Sequence, residues 1–331
     1  MDNHLTLEGS FDRKDLPNIS VLTPTWNRQK FIKLMVSNLT SFIYPKEKME
    51  WCILDDHQTN PLFEDNMESC PSIEAIKKLI HPIKLNYVYD KRKHLSIGEK
   101  RNRLVKQASY KLCANMDYDD IYFPEYLLYS YKVMKDNNAG LVGSPQMLFV
   151  FPLHNYSMSF IRCPSKRQAH EATHVFTKKF YKSMGGYEKS SQGEGAGIID
   201  FNEKNVATTD VRRCMICVCH NSNTCKKDRF LEDKVGDMPD DDPYKKILQE
   251  IFTSEIRNRL FSIVSIVYQF FLFQQDYIYL IHPPAIYANL ELIYMFLPFF
   301  LLPFFVPYDS NYFLGINVIR PNHTLFHCPF C

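Results

Sequence analysis

The chain has almost no net charge: 39 lysines and arginines against 37 aspartates and glutamates leave +2 over 331 residues. With no basic face in its composition, it is not expected to bind nucleic acid, because such binding rests on neutralising phosphates with an excess of lysine and arginine. The glycine-rich loops that cradle phosphates are missing too. Neither G-x-x-x-x-G-K-[ST] nor a G-x-G-x-x-G after the first strand is present. The opening stretch, MDNHLTLEGSFDRKDLPN, has no apolar core of the kind a signal peptide needs. Ten cysteines without such a signal lead us to expect a reducing, cytoplasmic setting and mostly free thiols. No internal repeat or low-complexity tract stands out.

What is there is a regular alternation over the first two thirds. Residues 18–23 (NISVLT) form a β-branched run expected to be a buried strand, and 28–40 repeat apolar positions at helical spacing. The same logic assigns strands to 51–56, 83–89 and 110–117, and helices to 71–80, 96–109 and 124–138, the last with Pro124 in its first turn. Short apolar runs follow at 139–144 and 146–151. Strand–helix alternation of this kind builds an α/β fold: a doubly wound, mostly parallel sheet covered by helices. Such sheets bind ligands beyond the carboxyl ends of their strands. Pro24 to Arg28, Asp55–Asp56 and Asp117 to Asp120 all fall at those ends.

The composition changes near residue 236. GDMPDDDPYKK (236–246) is an acidic, proline-containing spacer, so one domain is expected over 17–235 and an extension over 236–331. In the extension, 260–273 and 292–306 are very apolar. Each is shorter than the roughly 20 residues that cross a bilayer as a helix, and the second contains Pro298 and Pro303. Two readings stand side by side: attachment to the cytosolic face of a membrane, or a buried helical pair capping the domain.

The densest chemical signal is KLCANMDYDDIYFPEYL (111–127), with three aspartates in four positions. If the backbone stays extended, Asp117 and Asp119 point the same way just past the strand end. Two convergent carboxylates suit a hard divalent cation, Mg²⁺ or Mn²⁺, which takes oxygen ligands and keeps positions open for phosphate. A solvated acidic turn at the start of the next helix accounts for the same residues without a metal.

Four stretches in order, VLTPTWNR (21–28), WCILDDH (51–57), GEKRNRLVKQA (98–108) and MDYDDIYFPEY (116–126), resemble the inverting GT-A glycosyltransferases of family 2 over about residues 17–230. The resemblance implies a metal-dependent transferase that moves a sugar from a nucleoside diphosphate, a uridine nucleotide being favoured, to an acceptor hydroxyl. It implies that Pro24, Thr25 and Trp26 hold the nucleobase and ribose, that Asp56 bonds the base, and that Arg101 reaches the nucleotide. Asp117 and Asp119 become metal ligands, with His220 as a third. KKFYKSMGGYEKSSQGEGAGIIDF (178–201) continues the likeness and makes Glu194 the base that deprotonates the acceptor. The family pattern has a second acid directly after the base, where this chain has Gly195, so Asp200 and Glu203 stay open as alternatives.

Three other constellations compete. Cys214, Cys217, Cys219, His220 and Cys225 are zinc-ligand types, although RCMICVCH also alternates like a buried strand. The tail HTLFHCPFC (323–331) has ligand types as well. HEATH (170–174) has the His-Glu-x-x-His order of a zinc-dependent hydrolase built on His170, Glu171 and His174, but THVF favours a strand over the helix that motif needs. A non-catalytic, membrane-associated module with the same fold is the remaining rival.

Overall fold

The structure is a computed structural model that describes residues 11–64, 71–151, 157–163, 165, 168–199, 203–220, 223–224, 227, 230–231 and 316–318. The chain divides into one unit of 1–253 with 315–331 and another of 254–314; every described residue belongs to the first. The acidic spacer, both long apolar runs and the C-terminal cysteine–histidine tail lie outside the described residues. Among the described residues no helix is long and apolar enough to cross a membrane.

In chain order the strands are β1 (Ile19–Thr25), β2 (Met49–Asp55), β3 (Lys84–Tyr89), β4 (Leu112–Asn115), β5 (Ile121–Tyr122), β6 (Leu141–Gly143), β7 (Gln146–Phe151), β8 (Ser157–Arg162), β9 (Val175–Thr177), β10 (Val206–Thr208), β11 (Met215–Val218) and β12 (Ile316–Val318). The helices are α1 (Ile32–Ser41), α2 (Ile73–Ile80), α3 (Ile97–Gln107), α4 (Tyr126–Asp136), α5 (Lys178–Ser183) and α6 (Ala196–Ile199). The expected alternation is observed, and the mostly parallel α/β sheet with it. Expected and observed limits differ by a few residues at the ends. The strand expected over 110–117 stops at Asn115, and the helix expected over 28–40 begins with a 3₁₀ turn at Gln29–Phe31.

The main sheet runs β10-β6-β9-β4-β1-β2-β3. Its centre is parallel: β4, β1, β2 and β3 point one way, with Thr25 beside Asp55 and Leu22 beside Asn115. Every residue of β1 and β2 is buried, so these strands read as continuous apolar runs without two-residue alternation. Trp51 on β2 is wholly enclosed, and its indole N–H donates to Thr23 Oγ1 at 2.9 Å, which satisfies the one polar atom it brings inside. The β3 edge is half exposed. On the other side, β9 runs antiparallel to both β4 and β6.

Local chemistry starts the helices that matter for the site. Ser96 and Glu99 form a reciprocal capping box at α3, worth about 1 kcal/mol. This fixes the N-terminus of the helix that carries Lys100 and Arg101. Past β1 the chain turns at Asn27, whose φ of 55° lies in the left-handed region that asparagine tolerates better than most residues.

A second sheet, β12-β8-β7-β11-β5, stands beside the first. Its short β5 follows the acidic stretch directly and pairs antiparallel with β11, Tyr122 against Met215. That pairing brings Asp119 and Asp120 next to Val218, His220 and Asn223, about a hundred positions further along. Cys52, Cys113, Cys214, Cys217 and Cys219 are free and buried, as expected of unbridged thiols. Cys163 departs from that expectation, since it is disulfide-bonded.

Candidate active site

The ends of β1 and β4, the start of α3, and the 170–172 and 191–194 segments surround a cavity of about 380 Å³, closed on one side by β7, β8 and Phe230. Pro24, Thr25, Trp26, Arg101, Asp117, Asp119 and Glu194 all line it. Of the nine residues to which the resemblance gives a role, Asp56 and His220 are not among the lining.

At one end Trp26 sits between the rings of His57 and His94, at centroid distances of 5.1 and 5.0 Å. Its Nε1 and the hydroxyl of Thr25 are buried and have no hydrogen-bond partner among the described residues. Buried polar atoms without partners are costly, on the order of 1–3 kcal/mol each, and mark where a ligand would bond. Arg28 stacks over the Tyr118 ring at 4.7 Å from its centroid.

Asp56, the residue expected at the base, is fully buried. Its carboxylate is ion-paired to Lys100 at 2.5 Å, close to His94 Nδ1 at 3.2 Å, and bonded by the Leu95 amide at 2.5 Å. It anchors the 94–95 segment and Lys100, three residues that line the cavity. Asp55 is equally enclosed, accepting from the amides of Leu62 and His57 and from the Tyr87 hydroxyl. Lys100, which reads as a surface charge in the sequence, is 4% exposed and also donates to the Thr25 carbonyl. Burial pulls its ammonium below the usual lysine range, against the attraction of Asp56.

The three clustered aspartates have three different partners. β4 ends at Asn115 and residues 118–120 turn, so the two-residue alternation that would have aligned Asp117 with Asp119 does not apply. Asp117 takes both of its oxygens to Arg101 Nη2, at 2.9 and 3.2 Å. Asp119 Oδ2 meets His220 Nε2 at 3.0 Å and Asn223 Nδ2 at 3.2 Å. Asp120 accepts from the Val218 amide at 3.0 Å and ties β5 to β11. Asp119 and Asp120 are 7% and 4% exposed, which rules out a merely solvated acidic turn.

Arg101 joins the middle of the cavity to its far end. It is 3% exposed, and its Nε donates to Glu194 Oε1 at 2.9 Å while Nη2 serves Asp117. Burial alone would weaken its charge, but Asp117 and Glu194 outweigh burial and hold the guanidinium protonated. Two of its nitrogens are engaged by carboxylates, and Nη1 has no partner among the described residues. Glu194 is 5% exposed and lines the cavity, as expected of a base. Of the alternative bases, Asp200 and the Glu203 side chain lie outside the described residues.

HEATH is not a zinc helix. Glu171–Thr173 form a 3₁₀ turn and the strand starts only at Val175. His174 is occupied by the Ala169 carbonyl at 3.0 Å and the Tyr187 hydroxyl at 3.4 Å. Burial lowers His170 to about 4 and His174 to about 3, so both rings are neutral. His170 lines the cavity and its Nε2 has no partner among the described residues. Of the cysteine constellation, Cys214, Cys217 and Cys219 are core residues of the β11 region, and Cys225 lies outside the described residues. Among the described residues no group of three or more histidine, cysteine, aspartate or glutamate side chains converges as a metal cage. Of the expected ligands, Asp117 is paired with Arg101, while Asp119 and His220 meet directly. Those two ligand types, carboxylate oxygen and imidazole nitrogen, fit Mn²⁺ or Mg²⁺ if a bound diphosphate supplies further oxygens.

Two contributors escaped the sequence reading. Glu171, weighed only as part of a zinc motif, accepts from the Gly195 amide at 2.8 Å. Burial first, and the Glu194 charge second, push its carboxyl up to about 8. Asn223 followed a recognisable His-Asn pattern, but only the β5–β11 pairing explains why it meets Asp119.

No curated protein matches the chain by sequence. Among solved structures it is similar to a mannosyltransferase from Pyrobaculum calidifontis in complex with GDP-Man and Mn²⁺, at 17% identity over 62% of this chain and 58% of that one, TM-score 0.43. It is similar also to S. aureus TarS 1–349 in complex with UDP-GlcNAc, at 15% identity over 62% and 60%, TM-score 0.49. The matched part thus spans less than two thirds of either neighbour. The family model for glycosyl transferase family 2 matches residues 20–186, about half of the sequence. The chain belongs to glycosyl transferase family 2.

Proposed function

We propose that the protein transfers a sugar from a nucleoside diphosphate to an acceptor hydroxyl, with inversion and with the help of Mn²⁺ or Mg²⁺. The observation that carries this reading is that Trp26, Asp119, Arg101 and Glu194, drawn from four separate segments, line one cavity beyond the strand ends. The partnerless Thr25 hydroxyl and Trp26 N–H offer bonds to the nucleoside. Asp119 and His220 are the residues that would hold the cation, which offsets the charge of the departing diphosphate.

Inverting transfer is one in-line displacement. The acceptor O–H bond breaks as its oxygen attacks the anomeric carbon, the bond from that carbon to the diphosphate oxygen breaks, and the proton passes to Glu194. Arg101 supports this assignment in two ways. It holds the Glu194 carboxylate in place at 2.9 Å. It also balances Asp117, so the cavity does not carry an uncompensated anion where the donor must enter.

The test is thermal stabilisation by a panel of sugar nucleotides, with and without Mn²⁺, since a ligand that binds the folded state raises its apparent stability. At least one uridine or other sugar nucleotide is expected to raise the midpoint in a metal-dependent way and to be cleaved slowly by water. Asp119→Ala should abolish both effects. A panel flat in both conditions would contradict the proposal.

A further inference from the structure

Gly195 follows the base and has no side chain, yet the room for one is taken. A Cβ at this position would lie 2.6 Å from Glu171 Cγ and 2.9 Å from Glu171 Oε1. The Gly195 amide donates to that same Oε1 at 2.8 Å. Glu171 belongs to the turn between His170 and His174, 24 positions upstream of Gly195, and lines the cavity beside Glu194. Its turn is fastened independently: Asn115 Nδ2 donates to the Glu171 carbonyl at 2.6 Å, and the Tyr122 hydroxyl to the Ala172 carbonyl at 3.0 Å. Both tethers run to β4 and β5, on either side of the acidic turn.

We propose that Glu171 is the positioning residue for Glu194: it fills the space of a residue-195 side chain and clamps the Gly195 amide, which keeps the base on Arg101 and facing the acceptor. The inference rests on Glu194 being the base of the proposed transfer. It assigns to a distant segment the support that a neighbouring side chain would otherwise supply.

The charges around Glu171 decide how the clamp works. Glu194 and Tyr187 face it from the 187–195 loop, Arg101 from α3, and His170 and His174 flank it on its own turn. Arg101 already has two carboxylates to balance, Asp117 and Glu194. A third would be uncompensated, and Glu171 is accordingly uncharged at neutral pH, its carboxyl pushed up to about 8 by burial and then by Glu194. Above that pH its ionisation adds a second anion beside the base, in a cavity that must admit a diphosphate. Hydrogen bonding to Gly195 needs only the carbonyl oxygen of the neutral acid, which glutamine also has.

The experiment is metal-dependent hydrolysis, with water as acceptor, of the sugar nucleotide that stabilises the protein best. Wild type, Glu171→Gln, Glu171→Ala and Gly195→Ala are compared across pH 6 to about 10. Glu171→Ala should lower kcat on the order of 10²-fold by misplacing the base, with donor KM little changed. Gly195→Ala should do the same, because the added methyl displaces Glu171. Glu171→Gln should restore most of the loss, and it should lack the fall in donor kcat/KM that wild type shows as pH rises through about 8.

A folded Glu171→Ala with wild-type kcat would overturn the proposal, and so would Glu171→Gln as impaired as Glu171→Ala, or identical pH profiles. If Gly195→Ala does not fold, the two Glu171 variants decide alone. If wild type neither binds nor cleaves any sugar nucleotide, the transferase reading fails first and this inference with it. That failure is distinct, because it appears before any substitution is made.

Discussion

The two ends of the cavity are built by different means. The proposed donor end stands on adjacent parallel strands. β1 delivers Thr25 and Trp26, β2 delivers Asp55 and Asp56, and β4 leads into Asp117 and Asp119, all within the first 120 residues. The proposed acceptor end is assembled from turns: Glu171 from a 3₁₀ turn and Glu194 from a loop held by amide bonds to Glu171 and to the start of α3 and by the Arg101 guanidinium. Parallel strands with crossover helices place their carboxyl ends together as a rule of topology. Turns have no such rule, and their positions depend on long-range polar contacts that must each be made. Arg101 touches both ends and couples them.

Substitutions can break that contrast, beginning with the largest expected effect. Removing the base should abolish chemistry without touching the donor end: Glu194→Gln is expected to lower turnover on the order of 10²–10⁴-fold, measured as initial rates at saturating donor, with donor affinity kept. Arg101→Met attacks the link between the ends. It leaves the buried Glu194 and the partly exposed Asp117 without their cation and should cost about 3–5 kcal/mol of stability, read from the denaturant midpoint. Equal stability in that variant would mean the two ends are independent.

The pH dependence of stability sharpens the comparison further. Glu171 has a folded value of about 8 against 4.5 unfolded, so its contribution is full below about 4.5 and is lost as pH rises through about 8. His170 and His174, lowered to about 4 and about 3, act in the opposite sense. Their contribution is full above 6.5 and is lost as pH falls through those values. Glu171→Gln should therefore flatten the alkaline side of a melting-temperature profile and leave the acid side as it was. The smallest effect belongs to the donor end. Trp26→Ala should weaken donor binding by about 1–3 kcal/mol, the usual worth of a base stacked on an aromatic ring, with turnover of bound donor preserved.

The same contrast explains what was legible in the sequence. Strand ends after continuous apolar runs placed Trp26, Asp56 and Asp117 to Asp119 at the carboxyl edge of the sheet, and the helix expected over 96–109 is observed as α3. The partners of those residues were not legible. Asp56 lies one residue beyond β2, yet its carboxylate turns inward because Lys100 and the Leu95 amide meet it there. The Asp117–Asp119 alignment assumed extended backbone through a segment that turns. Arg101 reads as one of several surface cations until the fold encloses it. Glu171 sat inside a motif whose usual meaning requires a helix, and nothing in the string HEATH indicates that the turn packs against Gly195. Polar contacts across more than twenty residues leave no periodicity to read.

The central claim is that one cavity has a metal-assisted donor end at Asp119 and a separate base at Glu194. Calorimetric titration of the stabilising sugar nucleotide, with and without Mn²⁺, into Asp119→Ala and Glu194→Gln tests it most directly. Metal-dependent binding lost in the first variant and retained in the second is the predicted result. Wild-type binding by Asp119→Ala, or binding lost in Glu194→Gln, would contradict the division.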